Sequence, residues 1–198
     1  RSVSFKIADD IARGLLSCNA AEHGADGHAE TGNIALPQYV ARHDLAGAID
    51  FCLRLHVFDS QLSAAIHGDE INGVEIIRRV LQHRSLKSIR GTLIAIPIVN
   101  VYGFLNHTRY LPDGRDLNRS FPGSAKGSLT GRVAYTFVNE IVSKCTHGID
   151  LHTGSRHRSN FPQIRADLDN SDAYAMTEAF GVPLAIDAKI RDGSLRAC

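Results

Sequence analysis

The sequence predicts a layered α/β domain with a largely parallel or mixed sheet, on three observations. Residues 92–99 (TLIAIPIV) form a nearly continuous apolar run, which fits a strand buried on both faces of a sheet. Ile71, Val74, Ile77, Val80 and Leu81 recur at helical spacing. Strand-like and helix-like segments then alternate towards the end of the chain, the pattern of α/β layers.

Residues 1–45 lack strong periodicity, and Gly24-Ala25-Asp26-Gly27-His28 and Glu30-Thr31-Gly32-Asn33 are loop-like. They are expected to form an N-terminal appendage of strands and loops, ahead of a main domain over 46–198. Residues 51–58 alternate and are rich in large apolar side chains, so a strand is expected there. A short strand over 62–66 should end at His67-Gly68, followed by a helix over about 70–83 and the buried strand at 92–99. Residues 100–128 are polar and turn-rich without a period; a long connection of this kind in a compact domain is usually functional. A helix is expected over 129–144, with Val133, Phe137, Val138, Ile141 and Val142 on one side. Short strands at 148–152 and 161–165 and a helix at 172–180 complete the pattern. Gly181 would cap that helix, Pro183 lies just beyond it, and a last strand is expected at 182–186.

A chain of 198 residues, 43% of them hydrophobic, can bury the core of one domain. Its net charge is +1 and its Lys and Arg are scattered, which argues against nucleic acid as a partner. No apolar run reaches the roughly 20 residues of a membrane span, so a membrane partner is not expected either. Cys18, Cys52, Cys145 and Cys198 stand at wide, irregular spacings without a C-x-x-C pair. They read as small thiols of a reducing, cytoplasmic compartment rather than a disulfide framework. The N-terminus has no signal-peptide core and no Met, so a processed, tagged or trimmed product is expected. The expected partner is a small-molecule substrate, and homo-oligomerisation is left open.

The text that carries chemistry is Ala65-Ile66-His67-Gly68-Asp69-Glu70-Ile71-Asn72-Gly73. It sets a His and a Glu three residues apart where a strand becomes a helix, and Gly68 permits the sharp turn that aims both at one point. His152 ends the strand expected at 148–152, and open α/β sheets bind ligands beyond the carboxyl ends of their strands. Two His and one Glu with a fourth position open to water make a hydrolytic zinc site, although the same ligands suit other divalent ions.

Several segments agree in order: His67 to Gly73, Pro97-Ile98-Val99-Asn100-Val101-Tyr102-Gly103-Phe104, Arg109-Tyr110, Asp116-Leu117-Asn118-Arg119-Ser120-Phe121-Pro122-Gly123, and Asp150-Leu151-His152-Thr153-Gly154. Together they resemble the motif set of the succinylglutamate desuccinylase/aspartoacylase family, which is related to the zinc carboxypeptidases. The resemblance covers about residues 62–195. It implies a three-layer α/β/α fold with a mixed, largely parallel sheet, zinc-carboxypeptidase-like. It implies zinc as cofactor, with His67, Glu70 and His152 as ligands. Arg109 would polarise the scissile carbonyl and stabilise its oxyanion, and Asn118 with Arg119 would clamp the substrate carboxylate. A guanidinium meets a carboxylate bidentately, and positive donors aimed at a developing oxyanion are usually the largest catalytic effect. Asp116 would support His67 from behind, because metal-bound imidazoles usually donate their second N–H to a carboxylate. Asp150, two residues before His152, is a weaker candidate for similar support. Arg115, after the turn Pro112-Asp113-Gly114, is assigned to the surface. The segment 155–165, with Arg156, His157, Arg158, Asn160 and Arg165, is expected to line the pocket and select the substrate.

The resemblance also implies a general-base glutamate downstream of the region matching 182–195. None of Glu22, Glu30, Glu70, Glu75, Glu140 and Glu178 stands in such a motif, so the sequence is expected to be a fragment whose base lies beyond Cys198. The leading expectation is an amidohydrolase that cleaves the amide of a carboxylate-bearing N-acyl amino acid. The alternatives are a zinc carboxypeptidase and a non-catalytic zinc- or ligand-binding protein.

Overall fold

A computed structural model describes residues 2–7, 59–89, 91–154, 158 and 160–198. In chain order these contain β1 (Ser2–Ile7), β2 (Ser60–Ala64), α1 (Asn72–Gln82), β3 (Leu93–Ile96), α2 (Val101–Leu105), α3 (Leu129–Glu140), β4 (His147–Thr153), β5 (Gln163–Ala166), α4 (Ser171–Phe180) and β6 (Ala185–Asp187). The strands form one sheet in the order β3-β2-β4-β1-β5-β6. Every pairing is parallel except β1 with β5, so the sheet is mixed and largely parallel, as the sequence predicts.

The layers follow from the two-residue period of the strands. Leu62 and Ala64 of β2, Ile149 and Leu151 of β4, and Ile164 and Ala166 of β5 join one buried cluster. Ile76, Ile77 and Val80 of α1 and Ala173, Met176 and Phe180 of α4 complete it. Gly73 lets α1 lie close to the sheet: a Cβ there would stand 2.6 Å from the Cβ of Ala64 and 2.9 Å from that of Leu151. A second cluster holds Ile66, Val99, Leu111, Leu117, Phe121, Ala134, Phe137 and Leu195, with Ile96 packed against it, and α3 covers it. Each fully buried large aliphatic side chain contributes about 1.5–3 kcal/mol, so these two clusters hold the helices to the sheet. The caps agree with the elements: Asn170 accepts from the backbone N–H groups of Asp172 and Ala173, and Gly181 ends α4 at φ 70°.

The structure differs from the sequence expectations in several places. The strand expected at 92–99 and buried on both faces is the shorter Leu93–Ile96, half-buried because it lies at the edge of the described sheet, and the last strand is Ala185–Asp187 instead of 182–186. The strand expected at 62–66 is Ser60–Ala64, because Ala65 adopts φ 51° and turns the chain out of the sheet. The connection 100–128 contains α2 and a 3-10 turn at Leu117–Arg119; the Asn100 side chain starts α2 by accepting from Gly103 N at 2.8 Å. Helix α3 ends at Glu140 and tightens into a 3-10 turn at Val142–Lys144. Ser2–Ile7, assigned from sequence to an N-terminal appendage, forms a strand inside the sheet between β4 and β5. The rest of 1–45 and the strand expected at 51–58 lie outside the described residues. No helix among the described residues is long and apolar enough to cross a membrane.

Candidate metal centre

The site is built where β2 and β4, neighbours in the sheet, end side by side. Beyond β2, Ala65 takes a left-handed conformation that is uncommon for a residue with a side chain. Two backbone bonds hold it there, from Val99 N to Ala64 O (3.1 Å) and from Asn100 N to Ala65 O (3.0 Å). The turn that follows carries His67 and Glu70 and closes with Glu70 N donating to His67 O at 3.1 Å. Gly68 is packed against the backbone of α2, where a Cβ would come within 1.9 Å of the Gly103 carbonyl carbon. No other residue fits this turn without displacing α2. On β4, Ile149 and Leu151 face the apolar cluster, so Asp150 and His152 face the other side, beside Ser63 of β2.

Three buried groups meet there. His67 Nδ1 lies 2.8 Å from Glu70 Oε1, and His152 Nδ1 lies 2.8 Å from Glu70 Oε2. Thr153 N donates to Glu70 Oε2 at 3.1 Å. Ligand atoms of His67, Glu70 and His152 all lie within 4.8 Å of one another. Behind the imidazoles stand two more carboxylates. His67 Nε2 donates to Asp116 Oδ1 at 3.1 Å, and His152 Nε2 lies 2.6 Å from Asp150 Oδ2. The second contact is an ion pair with the oxygen off the N–H axis, not a hydrogen bond. A carboxylate at each Nε2 keeps a proton there and leaves Nδ1 of both rings facing Glu70. That donor set, two imidazole Nδ1 atoms and a carboxylate on one point, fits a divalent cation of the zinc type, whose binding would require the Nδ1 atoms to be free of protons.

Glu70, Asp116 and His152 are each shifted by their neighbours. Burial alone would raise the Glu70 carboxyl, but His152 and His67 outweigh it and hold it well below the usual carboxylate range. Burial would lower His152, but Asp150 and Glu70 push it up to about 10. Asp116, also raised by burial, is driven down by His67 and Arg109.

A cleft of about 330 Å³ opens from this point, and His67, Glu70, Arg109, Asn118, Arg119 and His152 all line it. Arg109 donates from Nε and Nη2 to Asp116 Oδ2 (3.1 and 2.8 Å) and from Nη1 to Glu70 Oε1 (3.5 Å). Asn118 accepts from Leu195 N at 2.9 Å through Oδ1, which leaves its amide N–H groups for a ligand. Arg119 is exposed at the cleft, and Arg115 lies on the surface, as expected. Of the segment 155–165, Arg165 lines the cleft, while residues 155–157 and 159 lie outside the described residues. The sequence reading missed Ser63, whose hydroxyl donates to Asp150 Oδ1 at 2.8 Å, and the cationic wall of Lys189, Arg191 and Arg196. Three basic residues within the last ten positions were the available signal for that wall.

The pattern of the succinylglutamate desuccinylase/aspartoacylase catalytic domain matches residues 59–197. The N-alpha-acetyl-L-2,4-diaminobutyric acid deacetylase of Halomonas elongata is 32% identical over 131 residues, 63% of this chain and 38% of that protein. Two solved structures share the fold at 24% identity. An aspartoacylase family protein from Mesorhizobium loti has a TM-score of 0.62 over 71% of this chain and 47% of its own. The ectoine utilization protein EutE (DoeB) from Ruegeria pomeroyi, with product bound, has a TM-score of 0.60 over 71% and 45%. The chain thus spans less than half the length of each of these proteins.

Proposed function

The chain belongs to the succinylglutamate desuccinylase/aspartoacylase family, and on that premise we propose that its protein is a zinc-dependent hydrolase that cleaves the amide bond of a carboxylate-bearing N-acyl amino acid. The observation that carries this reading is the convergence of His67, Glu70 and His152 at the floor of a cleft lined by arginines. When bound there, a zinc ion supplies an acidified water and polarises the acyl carbonyl. His67 and His152 would hold it through the Nδ1 atoms that face Glu70, together with the Glu70 carboxylate. Arg109, anchored by Asp116 beside Glu70, presents fixed positive charge to the oxyanion that develops on the carbonyl. Arg119 and the free amide N–H groups of Asn118 bind the substrate carboxylate and so orient the amide. The free thiols of Cys145 and Cys198 support a cytoplasmic setting.

In the full-length protein, His67→Ala is expected to remove tightly bound metal and abolish hydrolysis of N-acyl amino acids. Metal content unchanged from wild type by plasma emission spectrometry would refute the ligand assignment. Faster cleavage of short peptides than of acyl amino acids would move the protein to the carboxypeptidases.

One observation favours a second reading. The carboxylates lining the cleft among the described residues, Glu70 and Asp150, are both committed to partners, which leaves neither free as a general base. The hydrolase reading therefore draws its base from outside the described residues. A metal-loaded full-length protein that hydrolyses no acyl amino acid would instead be a zinc- or ligand-binding protein.

A further inference from the structure

We propose that Asp113 is a positioning residue for Arg109: from the tip of the connection between α2 and α3, it pins the turn that carries Arg109 and Asp116 to the first turn of α3. The catalytic role of Arg109 rests on the hydrolase reading; the pin itself does not.

Residues 109–116 form a closed turn. Leu111 N donates to Arg115 O at 3.2 Å and Gly114 N to Leu111 O at 2.9 Å, which brings the two ends of the turn together. There Arg109 Nη2 donates to Asp116 Oδ2 at 2.8 Å. Leu111 is buried in the cluster under α3, whereas residues 112–115 are exposed. An exposed turn with few buried contacts opens easily unless something ties it down.

The tie is Asp113. The Thr130 backbone N–H donates to its Oδ2 at 2.9 Å, and the Thr130 hydroxyl donates to its Oδ1. Thr130 is fully buried, in the first turn of a helix that Ala134 and Phe137 anchor in the core. The first N–H groups of a helix have no partner within it. In α3 the local cap, Ser128, accepts from Gly131 N at 3.2 Å, so the Thr130 N–H is left to a residue 17 positions away. The positive end of the helix dipole also favours a carboxylate there. Burial alone would raise the Asp113 carboxyl, but the bonds from Thr130, Arg115 and Ser128 outweigh it and hold it below the usual value. A cap drawn from so far along the chain couples the helix to the turn, which a local cap does not.

Neither Asp113 nor Thr130 lines the cleft, so the pin acts through Arg109 and Asp116. The turn that carries His67 and Glu70 has supports of its own, in the bond from Asn100 N to Ala65 O and the packing of Gly68 on α2. The backbone of Arg109 is held by a longer bond, from Asn100 Nδ2 to its carbonyl at 3.4 Å. Loss of the pin should therefore loosen Arg109 more than the metal ligands. A donor to an oxyanion works because it is preorganised, and a misplacement of about 1 Å can cost roughly a hundredfold in rate.

Asp113→Ala in the full-length, zinc-loaded protein breaks the pin, and Thr130→Val removes the hydroxyl bond while keeping the buried volume. Hydrogen exchange read by mass spectrometry should show the amides of 109–116 exchanging roughly tenfold faster or more in Asp113→Ala, with 66–72 unchanged. On the fastest-cleaved member of a panel of N-acetyl amino acids, kcat should fall roughly tenfold while KM stays within about threefold, because Asn118 is held separately by Leu195. Thr130→Val should move both readouts the same way and by less. Asp113→Asn keeps an acceptor for the Thr130 N–H and should restore most of kcat. The double variant should be no slower than Asp113→Ala alone. A lower melting temperature with exchange at 109–116 unchanged would make Asp113 a helix cap only and overturn the pin. Faster exchange with kcat unchanged would overturn the positioning of Arg109. Faster exchange in a protein that hydrolyses none of the panel would leave the pin standing and remove the hydrolase reading.

Discussion

His67 and His152 offer the same atom, Nδ1, to the same carboxylate, yet they are backed in different ways. Asp116 comes from the long connection between α2 and α3 and divides its two oxygens. Oδ1 receives His67 Nε2 and the Asn118 backbone N–H (2.8 Å), while Oδ2 receives Arg109. Asp150 lies in the middle of β4 and is almost wholly buried. One of its oxygens takes the Ser63 hydroxyl and the other lies against His152. The loop carboxylate thus ties one proposed metal ligand to Arg109 and the Asn118 backbone, and the strand carboxylate ties the other to the sheet. Damage at Asp116 should spread across the cleft, and damage at Asp150 should stay with the ion.

Asp116→Asn should have the largest effect. Loss of the charge behind His67 should cost about 10- to 100-fold in zinc affinity, the usual range for the group that supports a metal ligand. Because Arg109 loses its anchor as well, kcat/KM at saturating zinc should fall by a further factor of about ten or more. Zinc competition with a chelator reads the first effect, and steady-state kinetics at saturating zinc reads the second. A variant with normal kinetics once zinc is saturating would erase the distinction drawn between the two aspartates.

Asp150→Asn should cost a similar factor, about 10- to 100-fold, in zinc affinity. The amide keeps the size of the carboxylate and an oxygen for the Ser63 hydroxyl. At saturating zinc its kcat/KM should stay within about threefold of wild type, because Asp150 holds none of the proposed substrate-binding groups. A large kinetic defect that zinc does not repair would place Asp150 in the reaction itself.

The two aspartates also mark what the sequence could disclose. Asp116 was legible, because it stands two residues before Asn118 inside a recognisable motif. The parity that puts Asp150 and His152 on one face of β4 and Ile149 and Leu151 on the other is also written in the local text. The partnership of Asp150 with Ser63 was not legible. It depends on β2 and β4 pairing with Ser63 opposite Asp150, a register set by contacts 87 residues apart. The left-handed Ala65 was hidden for a similar reason, since the β3 end holds it and nothing in its own side chain requires it. Ser2–Ile7 carries no local mark of a place between β4 and β5, and Arg165 gave a position on the pocket wall without a partner. Periodicity reports which face a residue takes, whereas the identity of its neighbour comes from topology.

Ser63→Ala tests that hidden partnership and should have the smallest effect of the three. Alanine fits the site, since Ser63 is fully buried and the substitution removes only the hydroxyl. Asp150 Oδ1 then loses its donor in a place water does not reach, which should cost about 1–2 kcal/mol of stability. Zinc affinity should drop by only a few fold, because Asp150 still faces His152 but is less firmly oriented. Denaturant unfolding of the chelator-treated protein reads the first effect and zinc competition the second. If stability falls while zinc affinity is untouched, the hydroxyl serves the sheet alone, and the chain from Ser63 through Asp150 to His152 ends one link short of the metal.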